Sequence, residues 1–196
     1  MLIAGVDAAY LPADEAVVAA VVLWDRLTER VVEHHVAVAA RPRAYQPGNF
    51  AVREAEAILA VLRALKRRPA AILCDAHGRA HPRRWGLACE VGAAVGLPTI
   101  GCAKTVLCGS YAQLLPDRGA TAGIFDHGEL IGQAVRTQTR VRPVFVSVGG
   151  SIELDEAAHL VLAAAPRFRV PEPLRHAHQR ARQVAKMLLA RWPATE

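Results

Sequence analysis

The sequence predicts an α/β domain on a mixed sheet: a three-strand antiparallel meander, then alternating helices and strands, with helices on both faces. Three observations predict it. Valine-rich apolar runs at 2–8, 16–24 and 31–39 follow one another across short turn-like separators. From Arg53 onward, helical and strand patterns alternate. Apolar residues make up 53% of the 196 residues, enough to bury a full core in one domain and too many for bulk disorder. No linker, internal repeat or low-complexity tract divides the chain, so a single domain over 1–196 is expected.

Each element has its own signal. Leu2 to Ala8, Ala16 to Trp24 and Val31 to Ala39 are short and β-branched, and Pro12-Ala13-Asp14 and Asp25 to Arg30 read as the turns between them. Arg41 to Asn49, with two prolines and a glycine, reads as a loop. Arg53 to Arg67 reads as a helix, because Ile58, Leu62 and Leu65 fall on one stripe. Ala70 to Asp75 is a buried strand, and Trp85 to Val95 a helix stopped by Gly96-Leu97-Pro98. Thr99 to Ala103, Gly123 to Phe125, Glu129 to Thr137 and Pro143 to Val148 read as strands, with Asp126-His127-Gly128 a hairpin turn. Leu154 to Ala164 and Leu174 to Trp192 close the chain as helices.

Composition excludes several classes. The longest apolar runs are far too short to span a bilayer, so no membrane role is expected. No charged segment precedes an apolar one at the start, so a cytoplasmic protein is expected. The four cysteines form no CxxC pair, and they read as reduced thiols, with Cys74 and Cys102 inside apolar strands. The net charge is +6, with basic residues concentrated at Arg41–Arg43, Arg79–Arg84, Arg136–Arg142 and Arg175–Arg182. Gathered on one face these form a footprint for a polyanion; scattered, they are a solvated surface.

The densest chemistry lies at Cys74-Asp75-Ala76-His77-Gly78-Arg79-Ala80-His81-Pro82-Arg83-Arg84-Trp85-Gly86. A carboxylate at a strand end, followed by a loop of His, Arg and Gly, suits a cation beside an anionic substrate. Three further residues join it. Asp7 lies inside the first strand, where an ionised carboxylate needs a cation or a salt bridge. Glu54 shares the apolar stripe of the first helix, or else serves the helix dipole, whereas Glu56 falls off the stripe. His178 shares a side of the last helix with Ala181, Ala185 and Leu189, as an inward ligand or as a packing residue. Two strand carboxylates, one helix carboxylate and a late ligand over a central sheet suit Mg²⁺ or Mn²⁺. That is the arrangement of ribonuclease H-like nucleases, where such ions assist in-line phosphoryl displacement.

The residues then match a known family. The sequence resembles endonuclease V, the deoxyinosine 3′ endonuclease, over nearly its whole length. The match runs through Gly5-Val6-Asp7-Ala8-Ala9-Tyr10 and Tyr45-Gln46-Pro47-Gly48-Asn49-Phe50-Ala51-Val52-Arg53-Glu54. It continues through Asp75 to Ala88, where the family shows DGxGxAHPRxxGxA, and Gly101 to Gly109. It ends with Gly132 to Thr137, Pro143 to Gly149 and Pro171 to His178.

The resemblance implies a ribonuclease H-like fold and a Mg²⁺-dependent cut at the second phosphodiester bond 3′ to inosine, with Mn²⁺ as a substitute, in DNA repair. It implies that Asp7, Glu54, Asp75 and His178 hold the metal, that His81 acts in the site, and that Lys104 lies near the scissile phosphate. From the residues alone Lys104 reads as a surface lysine. Tyr45, Gln46, Pro47 and Gly48 match the wedge inserted beside an extruded base, though a surface turn reads the same way. Phe50, Ala76, Gly86 and Leu107 match the base pocket, and Arg83 and Arg84 are expected at the phosphates. The expected partner is DNA, or RNA, containing inosine, bound by a monomer.

Four positions depart from the family pattern. Ala44 and Gln46 replace wedge residues, Ala76 stands where glycine is usual, and Gly150 stands where histidine is usual. Two alternatives therefore stay open beside the inosine endonuclease: a nuclease of the same fold acting on mismatched, flapped or RNA strands, and a non-catalytic nucleic-acid binder.

Overall fold

A computed structural model describes residues 1–11, 16–40 and 50–190. Nine strands form one sheet in the order β3-β2-β1-β4-β5-β9-β8-β7-β6. The meander is β1 (Leu2–Tyr10), β2 (Ala16–Asp25) and β3 (Arg30–Ala40). After helix α1 (Phe50–Arg63), β4 (Ala71–Cys74) returns beside β1, and the two run parallel. Helix α2 (Leu87–Val95) then leads to β5 (Thr99–Ala103), parallel to β4. Strands β6 (Ser110–Tyr111), β7 (Thr121–Asp126), β8 (Glu129–Val135) and β9 (Val144–Gly150) extend the sheet antiparallel. Helices α3 (Leu154–Ala163) and α4 (Glu172–Leu189) follow. This is the mixed sheet expected from the element order.

Alternation along the strands separates two cores. On one face Ala4, Val6, Ile72 and Cys74 pack against Ile58, Val61 and Leu62 of α1 and Leu87 and Val91 of α2. On the other, Ile3, Leu73, Ile100 and Val146 pack against Ala157 and Val161 of α3 and Leu174 of α4. Strand β2 is buried on both faces from Ala16 to Trp24, so it reads as a continuous apolar run.

Some boundaries differ from the sequence expectation. Helix α1 starts at Phe50 and ends at Arg63, and Leu65 lies in the turn beyond, its N–H bonded to the Leu62 carbonyl. Helix α4 starts at Glu172, because Pro173 fits the first turn of a helix, where its missing N–H costs nothing. The two-residue strand β6 is too short to carry an alternation in the sequence. The hairpin at Asp126 holds: His127 and Gly128 both have positive φ, at 50° and 82°, as a type I′ turn requires.

Candidate metal centre and nucleic-acid interface

Strand pairing brings the two aspartates together. Val6 is in register with Cys74, and the Asp75 N–H donates to the Val6 carbonyl at 3.1 Å. Asp7, inside β1, and Asp75, just past the C-terminal end of β4, therefore lie side by side on adjacent parallel strands. By alternation both point to the α4 face, like Ile3 and Leu73.

Helix α4 supplies the third group. It can lie close because Gly5 has no side chain: a Cβ there would stand 2.3 Å from the Pro173 carbonyl carbon. Two residues along β1 from Gly5 is Asp7, and four residues along α4 from Leu174 is His178. Two strand steps and four helix steps span similar lengths, roughly 6–7 Å. His178 Nδ1 thus reaches Asp7 Oδ2 at 2.7 Å. One ligand atom each from Asp7, Asp75 and His178 lie within 4.8 Å of one another.

The electrostatics suit a cation. Burial, then the Asp75 charge, push the Asp7 carboxyl above its ordinary value, and His178 only partly offsets them. The Lys104 ammonium, just past the end of β5, makes an ion pair with Asp75 Oδ2. Two nearly buried carboxylates and an imidazole form an oxygen-rich donor set with negative charge to spare, which fits a hard divalent cation.

Glu54 approaches from the other layer. It is half-buried in α1 and lies outside the three-residue group. Its charge reaches the strand end, where it helps burial to raise the Cys74 thiol's pKa. The cysteines among the described residues are free, and Cys74, Cys89 and Cys102 are buried.

The basic loop after β4 folds back on itself. Gly86 N–H donates to the Gly78 carbonyl and Ala88 N–H to the His77 carbonyl, both at 3.1 Å. A Cβ at Gly86 would meet the His77 oxygen at 2.3 Å, so close packing alone demands glycine there. His81 Nδ1 accepts the Arg83 backbone N–H at 3.2 Å, which leaves the neutral ring's proton on Nε2. Burial and the Arg83 charge lower the His81 pKa and favour that neutral form.

Other expected residues are placed as follows. Arg84 is held by Asp126 at 2.9 Å and Glu129 at 2.6 Å, so it clamps the loop to the β7–β8 hairpin; Arg83 is exposed. Ala76 is partly buried against the α1–α2 core, and Leu107 is half exposed between β5 and β6. Tyr45, Gln46, Pro47 and Gly48 lie outside the described residues, as does the side chain of Phe50. Gly150 pairs with Thr99, which pairs with Ile72, three residues back along the chain from Asp75. A side chain there would meet only ordinary contacts.

The basic clusters are partly spent inside the fold. Arg136 donates to the Leu115 and Val141 carbonyls, and Arg175 to Glu172. Sequence reasoning missed Arg169. Its guanidinium donates to the carbonyls of Lys104 at 2.6 Å, Pro143 at 2.8 Å and Arg142 at 2.9 Å. It thereby fixes the segment that carries Lys104. Its partners lie up to 65 positions away and carry no sequence signal.

Comparisons agree with this geometry. The profile of the Endonuclease V family matches residues 1–179. Endonuclease V of Geotalea uraniireducens is 42% identical over 188 residues, which cover 96% of this chain and 80% of that one. The crystal structure of Endonuclease V from Streptomyces avermitilis superposes with a TM-score of 0.92 at 42% identity, covering 96% of this chain and 83% of that one. The Ciona intestinalis Endonuclease V structure, in complex with a 24mer DNA containing an inosine followed by a ribo-adenosine, gives a TM-score of 0.81 at 25% identity. It covers 95% of this chain and 87% of that chain. With its ribonuclease H-like sheet, its aspartates on adjacent parallel strands and a match over nearly its full length, the chain belongs to the Endonuclease V family.

Proposed function

We propose that this protein is a metal-dependent endonuclease that nicks DNA at the second phosphodiester bond 3′ to deoxyinosine, in DNA repair, with Mg²⁺ or Mn²⁺ as cofactor. The observation that carries the reading is the group of Asp7 inside β1, Asp75 at the end of the parallel strand β4, and His178 of α4. Asp7, Asp75 and His178 hold the cation, with Glu54 reaching in from α1. A divalent cation bound there supplies a water of lowered pKa and offsets the charge of an in-line displacement.

The chain's own groups do the rest. Lys104, which is ion-paired with Asp75 at the site, would offer its ammonium to a phosphate oxygen there. His81 presents Nε2–H as a donor to the scissile phosphate or the departing oxygen. Ala76, Gly86 and Leu107, with Phe50, receive the extruded base, and the Tyr45 to Gly48 segment fills the gap it leaves. The inosine substrate is supported by the family and by the Ciona relative's bound strand.

The test uses end-labelled strands carrying one deoxyinosine, one mismatch, one abasic site or no lesion, with Mg²⁺, Mn²⁺ or chelator. A nick one nucleotide beyond deoxyinosine is expected with metal, and is lost in Asp7→Asn and Asp75→Asn. Equal cutting of the undamaged strand refutes the specificity. Binding without cutting under any metal refutes the nuclease.

A further inference from the structure

Lys104 also lines a cavity of about 390 Å³, together with Tyr111, Arg142, Pro143, Phe145 and Arg169. We propose that it is a nucleotide subsite, in which Tyr111 stacks on a base flanking the scissile phosphate and Arg142 meets that nucleotide's phosphate. The inference rests on the endonuclease reading above.

Two independent features point to this ligand. The first is an excess of positive charge. Arg169 donates to three backbone carbonyls and to no carboxylate, and Arg142 has no ion pair among the described residues. Burial, and the neighbouring Arg142 charge, hold Arg169 below the ordinary arginine range, so the two guanidiniums repel across the cavity. With Lys104 they make three cations, of which Lys104 is paired with Asp75. A phosphate relieves that repulsion.

The second feature is a prepared aromatic surface. Tyr111 is 38% exposed on the edge strand β6, so part of its ring is open to solvent. Its ring leans on buried Phe145 at a centroid distance of 5.4 Å and an interplanar angle of 57°, which restricts its motion. A restrained, exposed ring flanked by cations is what single-stranded nucleic acid uses as a stacking platform.

Lys104 fixes where the subsite falls on the strand. Its ammonium lies on Asp75 while its carbonyl lies on Arg169. The cavity therefore begins one side chain away from the metal ligands, and its base belongs to a nucleotide beside the cut.

The experiment crosses protein and substrate changes. Wild type, Tyr111→Ala, Tyr111→Phe and Arg142→Gln are given a deoxyinosine strand and strands with an additional single abasic residue at each position flanking the cut. Cutting is read with Mg²⁺, and binding to the uncut strand is read in chelator. Tyr111→Ala is expected to weaken binding and kcat/KM by about 5- to 150-fold, the range for one base on an aromatic side chain. Tyr111→Phe restores both. One abasic position is expected to cost the wild type the same factor and to cost Tyr111→Ala nothing more. Arg142→Gln is expected to reduce the salt slope of binding by about 0.7, as for one single-strand phosphate. If the abasic and Tyr111→Ala losses simply multiply at every position, or Tyr111→Ala changes nothing, the subsite is wrong. If the wild type fails to cut but binding shows the same crossed pattern, the nuclease reading fails and the subsite survives.

Discussion

Gly5 tests how the Asp7–Asp75–His178 group is assembled. Its absent side chain is what lets α4 lie flat on β1. In Gly5→Ala the new Cβ meets the Pro173 carbonyl carbon at 2.3 Å, the Pro173 oxygen at 2.4 Å and the Leu174 nitrogen at 2.6 Å, whereas ordinary contact begins at 3.4 Å. All three are backbone atoms, so no side chain can turn aside. The N-terminal end of α4 must retreat by about 1 Å, and His178 rides on the same helix. Retreat along that line takes His178 Nδ1 from 2.7 Å of Asp7 Oδ2 to beyond hydrogen-bonding distance. Overpacking of this kind costs about 1–3 kcal/mol. For a chain of this size each kcal/mol lowers Tm by roughly 2–4 °C. The variant should melt several degrees below wild type, and Mn²⁺ should raise its Tm less than it raises the wild type's. Gly150→Ala, whose Cβ meets nothing closer than 3.8 Å, is the control and should match wild type. The assay is thermal denaturation with and without metal. A Gly5→Ala protein with wild-type Tm and wild-type response to Mn²⁺ would show that α4 does not hold His178 in this way.

Two further predictions concern the periphery. Glu129→Gln removes the shared partner of Arg79 and Arg84, so amide exchange over the loop 79–86 should speed up while the β1–β4 strands stay protected; unchanged loop exchange contradicts the clamp. Acid should destabilise the metal-free protein. Asp25 is held below 3.8 by the N-terminal ammonium and the Leu27 N–H, and Glu33 below 4.5 by the Lys66 N–H and His35. Glu129 is held below 4.5 by Arg84. Depressed carboxyls contribute stability that is full above their unfolded values and is lost as pH falls through the folded ones. Asp7 is raised and works in the opposite sense, gaining as pH falls. Tm measured in chelator should therefore hold down to about pH 4.5 and then drop; a Tm that climbs steadily to pH 3 contradicts the sign.

Much of the centre was legible because strand periodicity and chain order carry it. Asp7 and Asp75 stand out as carboxylates in or at the end of apolar runs, and once β1 and β4 are neighbours their pairing follows. His178 was legible only as a face of a helix; its contact depends on Gly5, whose role is invisible until Pro173 lies on it. Lys104 read alone is a surface lysine, because its partner Asp75 is 29 positions away. Arg84 and Arg175 looked available to phosphate, yet each is held by acids of the fold. Charge counting along the chain cannot separate a cation facing solvent from one spent on a carboxylate across the sheet. Tyr111 escaped for a different reason: a two-residue edge strand is too short to show a period.

The partners Asp7 and His178 stand 171 positions apart. A growing chain acquires both aspartates early, and β4 can settle beside β1 long before α4 exists. Such an intermediate carries two adjacent carboxylates with no imidazole over them. The Asp7–Asp75–His178 group is therefore complete only once α4 packs on β1, and a chain that lacks α4 carries the two carboxylates without their imidazole.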